Sequence, residues 1–153
     1  IEQLSVLYNS CDCTVNISDA EGFGLSTLES LATETPIIVN MTGGLQEQVT
    51  DGKEWFGVGI EPSSKSIIGS QEVPWIYEDR ISGTDLVDAM VKIYEMSKED
   101  LQAMGKRGRQ HVLKNYSMQK YISQWDQILT DTHKKHGSWD SKKSNLWSLN
   151  KVL

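Results

Sequence analysis

Cysteine is scarce in this chain: Cys11 and Cys13 are the only two, and they lie two positions apart. A C-x-C pair with no further thiol makes a poor zinc set. The expectation is a pair of buried free thiols on one side of a strand, in a reducing compartment. Histidine is equally thin. His133 and His136 flank lysines near a helix end, and His111 stands far from both, so no metal set forms. No D-x-D pattern occurs, which leaves a divalent cation unimplied, and no other cofactor is called for. Neither a G-x-S-x-G elbow nor a Cys/His nucleophile pair is present. Positive charge is outweighed to a net −6, which argues against nucleic acid as a partner. No apolar run reaches membrane-spanning length, and no secretory signal opens the chain. These absences lead to the expectation of a cytoplasmic protein. Lys106, Arg107, Arg109 and Lys114 form a basic stretch on a helix. A solvated face is its default reading; peripheral attachment at the cytoplasmic face of a membrane is the alternative.

What is present suits a globular domain. The 153 residues are 38% hydrophobic and 24% charged, enough to bury one core. The first residue is Ile1, and the chain reads as part of something longer. Its organising stretch is Glu21-Gly22-Phe23-Gly24-Leu25-Ser26-Thr27-Leu28-Glu29. Before it, Cys13–Ile17 reads as a short buried strand; after it, Leu25, Leu28, Leu31 and Ala32 recur at helical spacing. Pro36–Asn40 then reads as a second strand. Strand, Gly-rich turn, helix and strand make a βαβ crossover, the unit of parallel sheets that bind ligands at their carboxyl edge. Glycines let backbone approach a ligand, and the first amides of a helix attract anions. Two carboxylates beside an anion site need another reason, and sugar hydroxyls supply one. A nucleotide-sugar carries both chemistries. A glycosidase acid/base pair is the competing reading of two glutamates, but a Gly-rich crossover supports it poorly. The short G-F-G also lacks the third glycine of a dinucleotide fingerprint.

Ser18-Asp19-Ala20-Glu21-Gly22-Phe23-Gly24, with Leu28-Glu29-Ser30-Leu31-Ala32, resembles the E-x7-E signature of family-4 (group 1) retaining glycosyltransferases. The resemblance continues through Thr35–Ile38, Gly43–Val49, Asp51-Gly52, Leu101–Arg109 and Tyr116–Met118. It implies an α/β fold: the later part of the Rossmann-like, donor-binding C-terminal domain of a two-domain GT-B enzyme, followed by C-terminal helices. It further implies transfer of a hexose from a nucleoside diphosphate sugar, with retention, to a sugar, lipid or protein acceptor. In the family the first glutamate contacts the donor sugar and the second holds the ribose hydroxyls. Carried over, Glu21 is the catalytic-site residue and Glu29 the ribose ligand. Amides of Gly22, Phe23, Gly24, Leu25 and Ser26 would face the diphosphate. Gly43-Gly44, on the same sheet edge as Glu21, reads either as a mere turn or as a close approach to the donor sugar. The family's basic pair and its N-terminal domain would precede Ile1. A non-catalytic nucleotide-sugar-binding or interaction domain of the same fold is the alternative, since fold does not fix function.

Farther along, Leu45 and Val49 mark a short inward helix, with Glu47 on its solvent side, and Phe56–Ile60 a third strand. Residues 61–83 depart from the resemblance and read as a long loop insertion, with Trp75 and Tyr77 either pinning it or stacking on a ligand. Thr84 is the expected cap of a helix carrying Leu86, Met90 and Ile93 on one face. Ser97 through Asp100 opens another, with Leu101, Met104, Gly108 and Val112 inward. A last helix carries Tyr121, Trp125, Ile128 and Leu129. Residues 1–136 thus form the donor-binding part, and 137–153 a polar tail.

Overall fold

A computed structural model describes residues 2–138; the polar tail from 139 onward lies outside the described residues. Two compact units divide the chain, Ile1–Lys114 and Asn115–Leu153.

The first unit is built on a parallel sheet of order β1-β2-β3, with β1 at Thr14–Asn16, β2 at Ile37–Asn40 and β3 at Gly57–Ile60. Register pairs Thr14 with Ile37, and Ile37 in turn with Gly57. All four β2 residues are buried, as a central strand covered on both faces requires. On one face Ile38, Val58 and Ile60 pack with Ala89 and Ile93 of α4 (Gly83–Tyr94) and Met104 of α5 (Lys98–Asn115). Leu31 of α2 (Leu25–Ala32) and Leu45 and Val49 of α3 (Leu45–Val49) are wholly buried as well. Each such side chain contributes about 1.5–3 kcal/mol of burial free energy.

Several expectations need correction. β1 is shorter than Cys13–Ile17, and Val15 is 46% exposed, because α4 and α5 cover β2 and β3 but not this strand. Cys11 lies outside β1 and is exposed; only Cys13 is half-buried. Burial, then the neighbouring Asp12, pushes the Cys13 thiol above its ordinary value. Ser82, not Thr84, caps α4, its hydroxyl accepting from the Thr84 and Asp85 amides. Ala89 replaces Met90 on the buried face of α4. At α5 the Ser97 hydroxyl does accept from the Asp100 amide at 3.1 Å.

Residues 61–83, read as a loop, hold two strands: β4 (Ser64–Ile68) and β5 (Ile76–Arg80) form an antiparallel hairpin.

The end of α2 carries a strained residue. Thr35 N donates to Ser30 O and Glu34 N to Leu31 O, the two bonds of a Schellman ending. The position that glycine usually fills is occupied by Glu34 at φ 64°. Glu34→Gly is expected to stabilise the fold by about 1 kcal/mol, the left-handed penalty relieved. Its ion pair with Arg109 is exposed and subtracts little. Urea denaturation reads this directly; an unchanged or lower midpoint would count against the strain.

In the second unit, α6 (Met118–His136) is capped by Ser117. Tyr121 and Trp125 meet edge-on, their centroids 6.2 Å apart, and Tyr121, Trp125, Ile128 and Leu129 are exposed.

Candidate functional site

The carboxyl ends of β1 and β2 lead into two loops that lock together through main-chain atoms. Gly44 N donates to Glu21 O at 3.3 Å. Gly43 adopts φ +48°, and a β-carbon there would collide with the Glu21 carbonyl oxygen. Gln48 of α3, wholly buried, donates to Phe23 O from below. Gly24 has φ +84° and sits over Leu45, with no room for a β-carbon. Gly43 and Gly44 are therefore more than a surface turn: they set the distance between the two loops.

Gly24 is also the N-cap of α2, and no side chain caps this helix start. The first helical bond runs from Leu28 N to Gly24 O. Leu25 and Ser26 are exposed. An uncapped helix start is a ready-made anion site. Glu21, half-buried on its near side, accepts from Phe23 N at 3.3 Å. Glu29, about one turn along α2, is exposed and accepts from the Tyr8 hydroxyl at 3.1 Å. In the chain the predicted residues bracket this helix start, with Glu21 before α2 and Glu29 within it. Glu47 is exposed as expected, its carbonyl bonded to the His111 ring. Among the described residues no three His, Cys, Asp or Glu side chains are placed to share a metal, and no helix is long and apolar enough to cross a membrane.

Set against known proteins, residues 1–111 match the family model of the glycosyl transferases group 1. The chain belongs to that family. Among its relatives, trehalose synthase of Thermococcus litoralis is 24% identical over 129 residues, covering 83% of this chain and 25% of that protein. The D-inositol 3-phosphate glycosyltransferase of Corynebacterium urealyticum is 42% identical over 64 residues, 41% of this chain and 15% of that one. Sucrose-phosphate synthase from Thermosynechococcus elongatus superposes with a TM-score of 0.65 at 23% identity, over 88% of this chain and 28% of its own. That likeness shows the fold, a GT-B glycosyltransferase architecture with part of its Rossmann-like sheet. The chain spans about a quarter of the length of the synthases it matches.

Sequence reasoning missed three supporting groups in this group 1 domain. Gln48 follows Leu45 by three on α3 and so shares its buried face, a spacing that could have been read. Asp79 and Arg80 sit in the hairpin and meet the β1 and β2 loops across long sequence separations; no local pattern announces them. Tyr8, in α1 (Glu2–Asn9), shares the Glu29 carboxylate. Burial, and then the hydrogen bond and charge of Glu29, raises its phenol above the ordinary value, so it remains a donor at neutral pH. Tyr8→Phe is expected to lower stability by about 0.5–1 kcal/mol, the worth of one exposed hydrogen bond. In a Glu29→Ala background the same change should add almost nothing. Fully additive losses in urea denaturation would separate Tyr8 from Glu29.

Proposed function

We propose that this chain is the donor-binding part of a retaining hexosyltransferase that uses a nucleoside diphosphate sugar. The observation that carries the reading is the uncapped start of α2, flanked by Glu21 and Glu29. In this reading the diphosphate meets the amides from Gly22 to Ser26, Glu29 takes the ribose diol and Glu21 takes the hexose. As the bond between the anomeric carbon and the diphosphate breaks, negative charge builds on the leaving oxygens. Fixed amides stabilise that charge without reorganising, and one well-aimed donor is worth roughly 3 kcal/mol of barrier. The acceptor, a sugar, lipid or protein, would come from the side facing a further domain of the same enzyme, and that domain would also cover the exposed apolar residues of α6.

Glu29→Gln tests the assignment. A neutral amide is a poorer acceptor for two hydroxyls, and a hydrogen bond to a charged group contributes about 1.5–3 kcal/mol. Donor affinity in the full-length enzyme should fall at least several-fold, with melting temperature unchanged in the absence of donor. Unchanged affinity across a panel of UDP-, GDP- and ADP-hexoses would remove Glu29 from the site.

A further inference from the structure

The β4–β5 hairpin is fastened to the two loops that carry the candidate donor site. Asp79 N donates to Asp19 O at 2.8 Å, and Thr42 Oγ1 donates to Asp79 Oδ2 at 2.7 Å. Asn40 Nδ2, from the buried end of β2, reaches both Ser18 O and Asp79 O. Arg80 pairs with Asp19 on one side and with Glu78 on the other. Asp19 lies two residues before Glu21, and Thr42 immediately before Gly43, so the hairpin rises from the same sheet edge.

Strand pairing sets what the hairpin shows. Residues opposite one another share a face, and side chains alternate along each strand. Lys65 and Asp79 are one opposed pair and Ile67 and Tyr77 another, so these four line one face. Its base is the Lys65–Asp79 ion pair against Thr42. Above it stand Tyr77, 69% exposed, and Ile67; Trp75, 65% exposed, precedes Tyr77 by two. The Trp75 indole lies against Gly69, where a β-carbon would come within 3.1 Å of Cε3. One side of the ring is seated on glycine, and the residue remains largely open to solvent.

We propose that this face is the acceptor-side wall of the enzyme and that it binds a carbohydrate acceptor. The proposal rests on the donor reading above. Sugar rings present C–H faces that stack on aromatic rings and hydroxyls that hydrogen-bond to charged groups. Trp75 and Tyr77 supply the first, and the exposed Lys65 ammonium the second. The anchors at Asp19 and Thr42 make this surface continuous with the loops of Glu21 and Gly43.

Ligand-observed NMR on the full-length protein tests it, with maltotriose, mannotriose and methyl hexopyranosides as probes and UDP-, GDP- and ADP-hexose binding measured in parallel. Wild-type protein should bind at least one saccharide probe. Trp75→Ala should weaken that binding about five- to tenfold while donor affinity stays within error. Ile67→Ser, on the same face, should weaken it without touching the indole, and an unchanged melting curve excludes misfolding as the cause. Failure of wild-type to bind any saccharide, or equal binding by both variants, overturns the proposal. So does a change in oligomeric state or in phospholipid-vesicle binding in Trp75→Ala with saccharide binding intact, since the face would then dock protein or membrane. Loss of donor binding in wild-type itself would instead condemn the donor reading.

Discussion

Gly43→Ala is expected to lower stability by about 2–5 kcal/mol, a fall in melting temperature on the order of 10 °C. Two penalties combine. The left-handed φ of +48° costs a side-chain-bearing residue roughly 1–2 kcal/mol. The new β-carbon would also run into the carbonyl oxygen of Glu21, which is main chain and cannot rotate away. Relief requires the β1 and β2 loops to part, breaking the Gly44 N to Glu21 O bond and moving Glu21 from its place beside α2. A displacement of about 1 Å at such a site can cost about a hundredfold in rate, so transfer by the full-length enzyme should fall far more than stability alone explains. Gly52→Ala supplies the control: φ is +85° there, but no atom lies near the added β-carbon. It should show the strain without the loss of transfer. Thermal melts and donor titrations of both variants decide the matter. Equal behaviour of the two would mean that the loop contact at Gly43 does not hold the site together.

The 153-residue chain by itself is expected to give no measurable transfer. Its sheet has three strands, and both outer ones leave an edge with no neighbour among the described strands. Open parallel edges are a liability that folded proteins cover. Among the described residues the Arg80 guanidinium beside these loops is already committed to Asp19 and Glu78. The chain is also about a quarter as long as the synthases it matches. Purified chain and full-length protein should be compared on UDP-, GDP- and ADP-hexoses with simple sugar acceptors. Comparable rates from the two would show that the catalytic apparatus lies wholly within these residues.

How far the sequence spoke depended on how local the cause was. The strand, glycine turn and helix around Glu21 were readable because a period change and two glycines mark them within a dozen residues. The second strand followed from the apolar run Ile37-Ile38-Val39. The hairpin was not readable. Ser64, Lys65 and Ser66 carry no apolar alternation, and their strand exists because β5 pairs with it and Arg80 reaches Asp19, 61 positions away. Tyr8 and Glu29, 21 apart, meet only once α1 lies beside α2. The cap of α4 was misplaced by two residues because Ser82 and Thr84 are both capping residues, and Ser82 is the stronger of the two. Cys11 was misjudged because β1 starts only at Thr14, which leaves this thiol in the exposed segment before the sheet.

The interlock of the two loops also bears on how such a site can diverge. Its spacing is held by Gly44 N, Glu21 O, Phe23 O and the bare α-carbon of Gly43, together with Gln48 beneath them. The outward side chains at Leu25 and Ser26 take no part in that clamp. Mutation can therefore sample new side chains at this helix start while the frame keeps its dimensions, and a change of specificity there need not pass through an unstable intermediate.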